Sequence, residues 1–220
     1  MVSKMHGDAL RINEIFFSIQ GESSHAGRPC VFVRLTGCNL RCSYCDTEYA
    51  FFEGDFHSFN QIIKEIEKYD CRLVEITGGE PLLQKKVIPF MTMLCDNGYE
   101  VLIETGGHMD ISLTDPRVVR IMDIKCPGSG ESEKVRWENI AHLRPKDEVK
   151  FVISDRADYD WAKRIVDEYQ LNQKCTVLFS PVFGKMDNIT LAEWILEDCL
   201  PVRFQLQMHK YIWHPAKRGV

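Results

Sequence analysis

Residues 30–47 read CVFVRLTGCNLRCSYCDT. An apolar run of strand length, 30–35, passes directly into a loop that holds three of the chain's nine cysteines, Cys38, Cys42 and Cys45, spaced Cys-x3-Cys-x2-Cys. Thiolates at such short spacing bind either zinc or an iron-sulfur cluster. Structural zinc takes four protein ligands, usually as two separated pairs, and only single distant residues such as Cys126 or His108 are on offer. A cubane cluster held by three cysteines leaves one iron open to a small molecule.

The same pattern, a strand and then an unusual segment, recurs along the chain. TGGEP (77–81) follows the apolar run 72–77, ETGGH (104–108) ends the run 100–105, and DIKCPGSG (123–130) ends the run 118–125. SPVF (180–183) follows the run 175–180 and QMHK (207–210) follows 202–207, with a further strand expected over 149–153. Between these runs, 58–69, 85–97, 156–170 and 188–199 have helical spacing; Ser58 is placed to cap the first, and Gly98 to end the second. Strand-then-helix alternation implies parallel strands joined by right-handed crossovers. The expected fold is therefore α/β, a single-domain partial (β/α) barrel, whose active site lies at the C-terminal ends of the strands.

Composition narrows the function. The chain has 220 residues, 45% of them hydrophobic, which is enough for one sizeable core, so residues 1–220 are expected to form one domain. A net charge of −5 without a long basic run argues against direct nucleic-acid binding and for a small substrate. No apolar run approaches a membrane span, and the N-terminal stretch lacks the apolar centre of a secretory signal, so a cytoplasmic protein with no membrane association is expected. An odd number of cysteines in that setting points to reduced thiols or metal ligands. Cys30, Cys71, Cys95, Cys126, Cys175 and Cys199 read as small buried residues.

The cysteine spacing, with Tyr44 before the last cysteine and TGGEP downstream, resembles the radical S-adenosylmethionine superfamily. Three further stretches, FFSIQGESSHAGRPCVFVRLTGCNLRC (16–42), CDT (45–47) and LQMHKYIW (206–213), resemble its 7-carboxy-7-deazaguanine synthase family over nearly the whole chain. The resemblance implies a [4Fe-4S] cluster on Cys38, Cys42 and Cys45, whose open iron chelates S-adenosylmethionine. It also implies contacts to that cofactor from Tyr44, Cys45, Asp46, Gly78, Gly79, Glu80, Ser129, Ser180, Pro181, Val182 and Phe183. Lys125 and Lys150 are candidates for its carboxylate, or simply partners of Asp123.

By the same resemblance the substrate is 6-carboxy-5,6,7,8-tetrahydropterin, contracted by radical chemistry to 7-carboxy-7-deazaguanine with loss of ammonia, a lyase step of 7-deazapurine and queuosine biosynthesis. Its contacts fall on Ile19, Gln20, Gly21, Glu22, Arg34, Thr77, Glu104, His209 and Pro215, with Lys210 beside them. Thr47 matches a magnesium-binding threonine; one hydroxyl makes a weak site, so magnesium would also need the substrate carboxylate and waters. A homodimer and a flavodoxin- or ferredoxin-type reductant are implied. Two rival readings stay open: an activating enzyme that takes hydrogen from a glycine of a partner protein, and a zinc-stabilised binding module without catalysis.

Overall fold

The computed structural model describes residues 8–220. Residues 1–7, part of the stretch read for a secretory signal, lie outside them. In chain order the main elements are β1 (Ala9–Ile19), β2 (Pro29–Leu35), β3 (Asp55–Ser58), α1 (Phe59–Ile66), β4 (Leu73–Gly78), α2 (Val87–Asp96), β5 (Glu100–Thr105), β6 (Val119–Asp123), β7 (Glu148–Ile153), α3 (Arg156–Glu168), β8 (Thr176–Pro181), α4 (Asn188–Glu197), β9 (Arg203–Phe204) and α5 (His209–Ile212). They build one nine-stranded sheet in the order β3-β1-β2-β4-β5-β6-β7-β8-β9. Every step from β2 to β9 is parallel. β1 runs antiparallel to both its neighbours. The sheet is open, as a partial barrel requires.

Period-two alternation separates two faces. Val31, Val33, Leu35, Val74, Ile76, Val101, Ile103, Val149, Phe151, Ile153, Val177 and Phe179 point outward into the main core, against the apolar stripes of the helices. Three helix starts, those of α1, α3 and α4, are fixed by a side chain that takes an orphan backbone N–H: Ser58 in a capping box with Gln61, Asp155 accepting from Asp158, Asp187 accepting from Thr190. α2 gives way to Gly98 at φ +79°, a left-handed conformation natural to glycine.

The opposite parity faces the concave side. Its floor is a small apolar cluster of Phe16, Cys30, Phe32, Leu73, Leu102 and Ile121. One residue pair further along the same strands, toward their C-terminal ends, the side chains become polar: Arg34, Glu75, Thr77, Glu104, Asp123, Lys150 and Ser180, all on the wall of one cavity. Apolar floor and charged rim are thus written by a single alternation.

The structure departs from the sequence reading at both edges of the sheet, where the short strand β3 was also not foreseen, and at Cys199, read as a buried residue but exposed. β1 was not foreseen as a strand; its burial pattern is irregular and a register shift lies between Ile12 and Glu14, so no clean alternation shows. The strand expected at 202–207 is only Arg203–Phe204; Gln205 N–H still donates to the Phe179 carbonyl of β8 (2.9 Å), and the side-chain amides of Gln205 and Gln207 engage Ser23 and Glu22. In agreement with the four helical segments read from the sequence, no α-helix bridges β5 to β6 or β6 to β7. Short 3-10 turns cover that flank, held by the fully buried Asn139, which donates to Gly107 and Met109 carbonyls, and by the Arg120–Asp147 pair at 2.6 Å.

Among the described residues no helix is long and apolar enough to cross a membrane.

Candidate active site

The cysteine loop leaves β2 and is fastened on both sides by bonds that do not use its sulfurs. Gly37 N–H donates to the Ala50 carbonyl (2.8 Å), and the Gly37 carbonyl accepts from Glu80 N–H (2.8 Å). Arg41 N–H donates to Glu131 (2.5 Å), Ser43 N–H to the Ser129 carbonyl (2.9 Å), and Ser43 Oγ to the Gly128 carbonyl (2.7 Å). The Arg41 guanidinium lies 4.2 Å from the Phe51 ring centre. So held, Cys38, Cys42 and Cys45 all line one cavity of about 730 Å³. Burial pushes the Cys38 thiol up, and the Cys42 thiol up to about 11. A metal held by these thiols would therefore have to displace their protons. Leu40 N–H points at Cys38 Sγ (3.4 Å), a donor that would persist toward a metal-bound thiolate. Among the described residues, no three His, Cys, Asp or Glu side chains are gathered around a single ion position.

TGGEP supplies the space beside that loop. Gly78 sits at φ +138°, and a Cβ there would stand 2.2 Å from the Leu35 carbonyl oxygen; at Gly79 it would stand 2.2 Å from the Gly37 carbonyl oxygen and 2.8 Å from Cys38 Cβ. Both glycines are needed for close backbone approach to the cysteine loop. Gly79→Ala is expected to cost about 1–3 kcal/mol, as overpacking does, and to lower the iron retained per chain after anaerobic reconstitution. Iron analysis alongside a melting curve checks both.

Glu80 is fully buried, and its carboxylate is already engaged. It accepts from Thr105 Oγ1 (2.9 Å), Gly106 N–H (2.8 Å) and Leu82 N–H (3.0 Å), with His108 Nδ1 at 3.6 Å. It therefore ties the ends of β4 and β5 together beneath the loop while touching the cavity.

On the charged rim, Lys150 is 4% exposed. Its ammonium pairs with Glu104, with Glu22 (2.9 Å), and more distantly with Asp123 (3.8 Å). Burial alone would lower this ammonium's pKa, but the charges of Glu104, Glu22 and Asp123 outweigh it and hold the pKa well above the usual lysine range. Lys125 pairs with Asp123 at 2.8 Å, so both lysines meet Asp123, Lys150 more weakly than it meets the two glutamates. Arg34 Nε donates to Glu14 (2.8 Å), and no partner takes its two Nη nitrogens among the described residues. Thr77 Oγ1 donates to Glu104 (3.3 Å).

The loop after β1 closes the open side. Gln20 Nε2 donates to Glu75, Glu22 N–H donates to Gln20 Oε1 (2.6 Å), and Gln207 Nε2 reaches Glu22 at 3.0 Å. Met208 N–H donates to the Gly21 carbonyl (2.9 Å), and a Cβ on Gly21 would strike His209 Nδ1 at 2.3 Å. Lys210 pairs with Asp46 (2.6 Å); although burial works to raise Asp46, that charge holds its pKa low. The C-terminal segment is thereby clamped to both the loop after β1 and the cysteine loop.

Most residues expected from the sequence meet on this cavity: Ile19, Gln20, Gly21, Glu22, Arg34, Tyr44, Asp46, Thr47, Thr77, Glu104, Ser180, Val182, Phe183, His209 and Pro215 line it with the cysteines and TGGE. Two are not on its wall. Ser129 is 1% exposed and spends its hydroxyl on the Cys126 carbonyl (2.6 Å) and on Glu131 N–H (3.0 Å), acting instead through its own carbonyl on Ser43. Pro181 closes β8 and pairs with Ile153, its parity turning it away from the cavity that Ser180 and Val182 face. Thr47 precedes a 3-10 turn without capping it, so its hydroxyl is not used for a cap. Glu75 and Gln207 were missed. Glu75 was legible as a charge inside a buried strand at the parity of Thr77, and Gln207 as the first residue of the QMHK segment.

Residues 32–188 match the radical SAM superfamily. The chain is 49% identical to a 7-carboxy-7-deazaguanine synthase of Koribacter versatilis (strain Ellin345), over 96% of this chain and 100% of that one. It is also 49% identical to the synthase of the same description from Chlorobaculum tepidum, over 96% and 97%. The fold matches the crystal structure of QueE from Escherichia coli with a TM-score of 0.77 at 22% identity, covering 91% of this chain and 95% of that one.

Proposed function

The chain belongs to the radical SAM superfamily and, within it, to the 7-carboxy-7-deazaguanine synthases, and from that premise we propose how its cavity performs a ring contraction. Membership makes it a lyase that uses a [4Fe-4S] cluster and S-adenosylmethionine. The residues present fit those groups: three cysteines on one cavity wall, and a glycine, Gly79, where any side chain would strike Cys38 and the Gly37 carbonyl. When bound, cluster and cofactor together supply a 5'-deoxyadenosyl radical for hydrogen abstraction.

Our reading assigns 6-carboxy-5,6,7,8-tetrahydropterin as the substrate and ammonia as the second product. The observation that carries it is the rim itself. A pterin carboxylate asks for cationic donors, and Arg34 offers two unused Nη nitrogens there; the guanidine-like edge asks for acceptors, and Glu22 and Glu104 stand across the same cavity. Phe16 and Phe32, stacked with ring centres 4.9 Å apart, form an apolar floor. The residues act by positioning and by fixed charge, not by covalent chemistry. Thr47, with its hydroxyl not spent on a cap, would hold magnesium together with the substrate carboxylate and water. We further read residues 1–220 as one domain working in the cytoplasm as a homodimer with a flavodoxin- or ferredoxin-type reductant.

The test is anaerobic reconstitution of the full chain, addition of reductant, magnesium, S-adenosylmethionine and the tetrahydropterin acid, and chromatography for 7-carboxy-7-deazaguanine and ammonia. Product formation supports the reading. Cofactor cleavage without product, together with hydrogen transfer from a glycine of a larger partner, would replace it by the activating-enzyme alternative.

A further inference from the structure

A cavity this rich in carboxylates must balance its charge, and the pairing is selective. Asp46 has Lys210, Asp123 has Lys125, and Glu22 and Glu104 share Lys150; Glu80 has no lysine or arginine, but its carboxylate is held by three donors, Thr105 Oγ1 and the N–H groups of Gly106 and Leu82. Glu75 lines the same cavity but lies within ion-pair distance of no cation among the described residues; its one donor there is the neutral amide of Gln20. It is 2% exposed, on β4 between Phe32 of β2 and Leu102 of β5, where the apolar floor meets the charged rim. A carboxyl so placed keeps its proton.

We infer that Glu75 is the proton-carrying carboxyl of this chamber and that it hands its proton to the ring nitrogen that departs as ammonia. This rests on the ring-contraction reading above. The step balances without an outside oxidant or reductant. After contraction the C–N bond breaks with its electron pair going to nitrogen, which takes the Glu75 proton. A ring carbon then gives up its own proton to the carboxylate left behind, and the C–H pair completes the aromatic five-membered ring. Glu75 ends the cycle as it began. Gln20 holds the carboxyl in place and fixes which of its faces is free, since the amide oxygen of Gln20 is already taken by Glu22 N–H.

The surroundings agree with a proton stored at neutral pH. Burial first, and then the charges of Glu104 from β5 and Glu22 from the loop after β1, push the Glu75 carboxyl well above the usual range, with Lys150 of β7 opposing them. From β2 the buried Cys30 faces it as a thiol that burial keeps neutral.

Glu75→Gln keeps the shape and the contact to Gln20 but cannot give up a carboxyl proton. With reconstituted full-length protein, magnesium and substrate deuterated at the abstracted position, the variant is expected to transfer deuterium to the cofactor as wild type does. Formation of deazaguanine acid and ammonia should slow by on the order of 10²- to 10⁴-fold, the usual range for a lost general acid, while a ring-contracted amine isomeric with the substrate accumulates. Wild-type product formation should fall as pH rises through the carboxyl's elevated pKa, a limb absent from the variant, and Glu75→Asp should recover part of the rate. Iron content and melting temperature verify that both variants are folded. If Glu75→Gln makes product at the wild-type rate with the wild-type pH profile, or loses deuterium transfer in proportion to product, the assignment is overturned. If wild type itself makes no deazaguanine acid, it is the ring-contraction reading that fails.

Discussion

Cys42→Ala is expected to yield a folded, pale protein that retains little iron after anaerobic reconstitution and produces no 5'-deoxyadenosine when given low-potential electrons. The effect should be all but complete, because in the proposed arrangement each motif cysteine would be the sole protein ligand of one iron, and a cubane missing one thiolate would not be held. The fold should survive. The loop is fastened through Gly37, Arg41, Ser43 and the Ser129 carbonyl, none of which uses sulfur. A half-buried cysteine truncated to alanine therefore costs on the order of 1 kcal/mol. Cys126→Ala is the informative control: Cys126 is fully buried in the main core, its thiol pushed well up by burial, and it stands outside the motif. That variant should keep wild-type iron and sulfide content while losing a similar amount of stability. Iron analysis, absorbance near the cluster band and cofactor-cleavage assays make the comparison. Full iron in Cys42→Ala, or loss of iron in Cys126→Ala, would remove the three-cysteine assignment.

Much of this site was readable in the chain because local chemistry wrote it. The strand-to-loop step at Leu35, the Gly78-Gly79 pair and the switch from apolar to charged residues at one parity of β4 and β5 are all short-range signals. What escaped was set by tertiary partners. β1 has no clean period-two pattern because its register shifts near Ile12. The segment at 202–207 carries strand-forming residues, yet only Arg203–Phe204 is strand, and the side chains of Gln205 and Gln207 are tied to Ser23 and Glu22, partners distant in sequence. Ser129 resembled a cofactor contact by position, and only the fold shows its hydroxyl turned to Cys126 and Glu131. Pairing among the charges was equally invisible. Sequence put Lys125 and Lys150 on one face, but not that Lys150 would sit among Glu22, Glu104 and Asp123, with Lys125 kept to Asp123.

That pairing makes Lys150 the residue whose loss should most damage stability. Lys150→Ala removes the cation that Glu22 and Glu104 share, and breaking one side of a buried charge network typically costs about 3–5 kcal/mol. The sign of its pH dependence follows from the groups involved. In wild type the Lys150 pKa is raised, so its contribution is complete below the ordinary lysine range and is lost only as pH rises through the elevated value. Glu22 is lowered despite a burial effect that opposes it, through the charge of Lys150 and bonds from Gln207 and Lys150; its share is present above the ordinary glutamate range and lost as pH falls through the lowered value. At neutral pH both contributions are intact. In the variant the stranded carboxylates find relief by taking up protons, so the deficit against wild type should be largest near neutrality and shrink toward acidic pH. Glu104→Gln added to Lys150→Ala removes one of the stranded charges and should return part of the loss, a coupling that a double-mutant cycle reads directly. Urea unfolding at neutral and mildly acidic pH gives all four corners of that cycle. A deficit that stays constant with pH, or a double variant no more stable than Lys150→Ala, would mean that Lys150 contributes by packing alone and that the rim is not the charge-balanced layer its geometry describes.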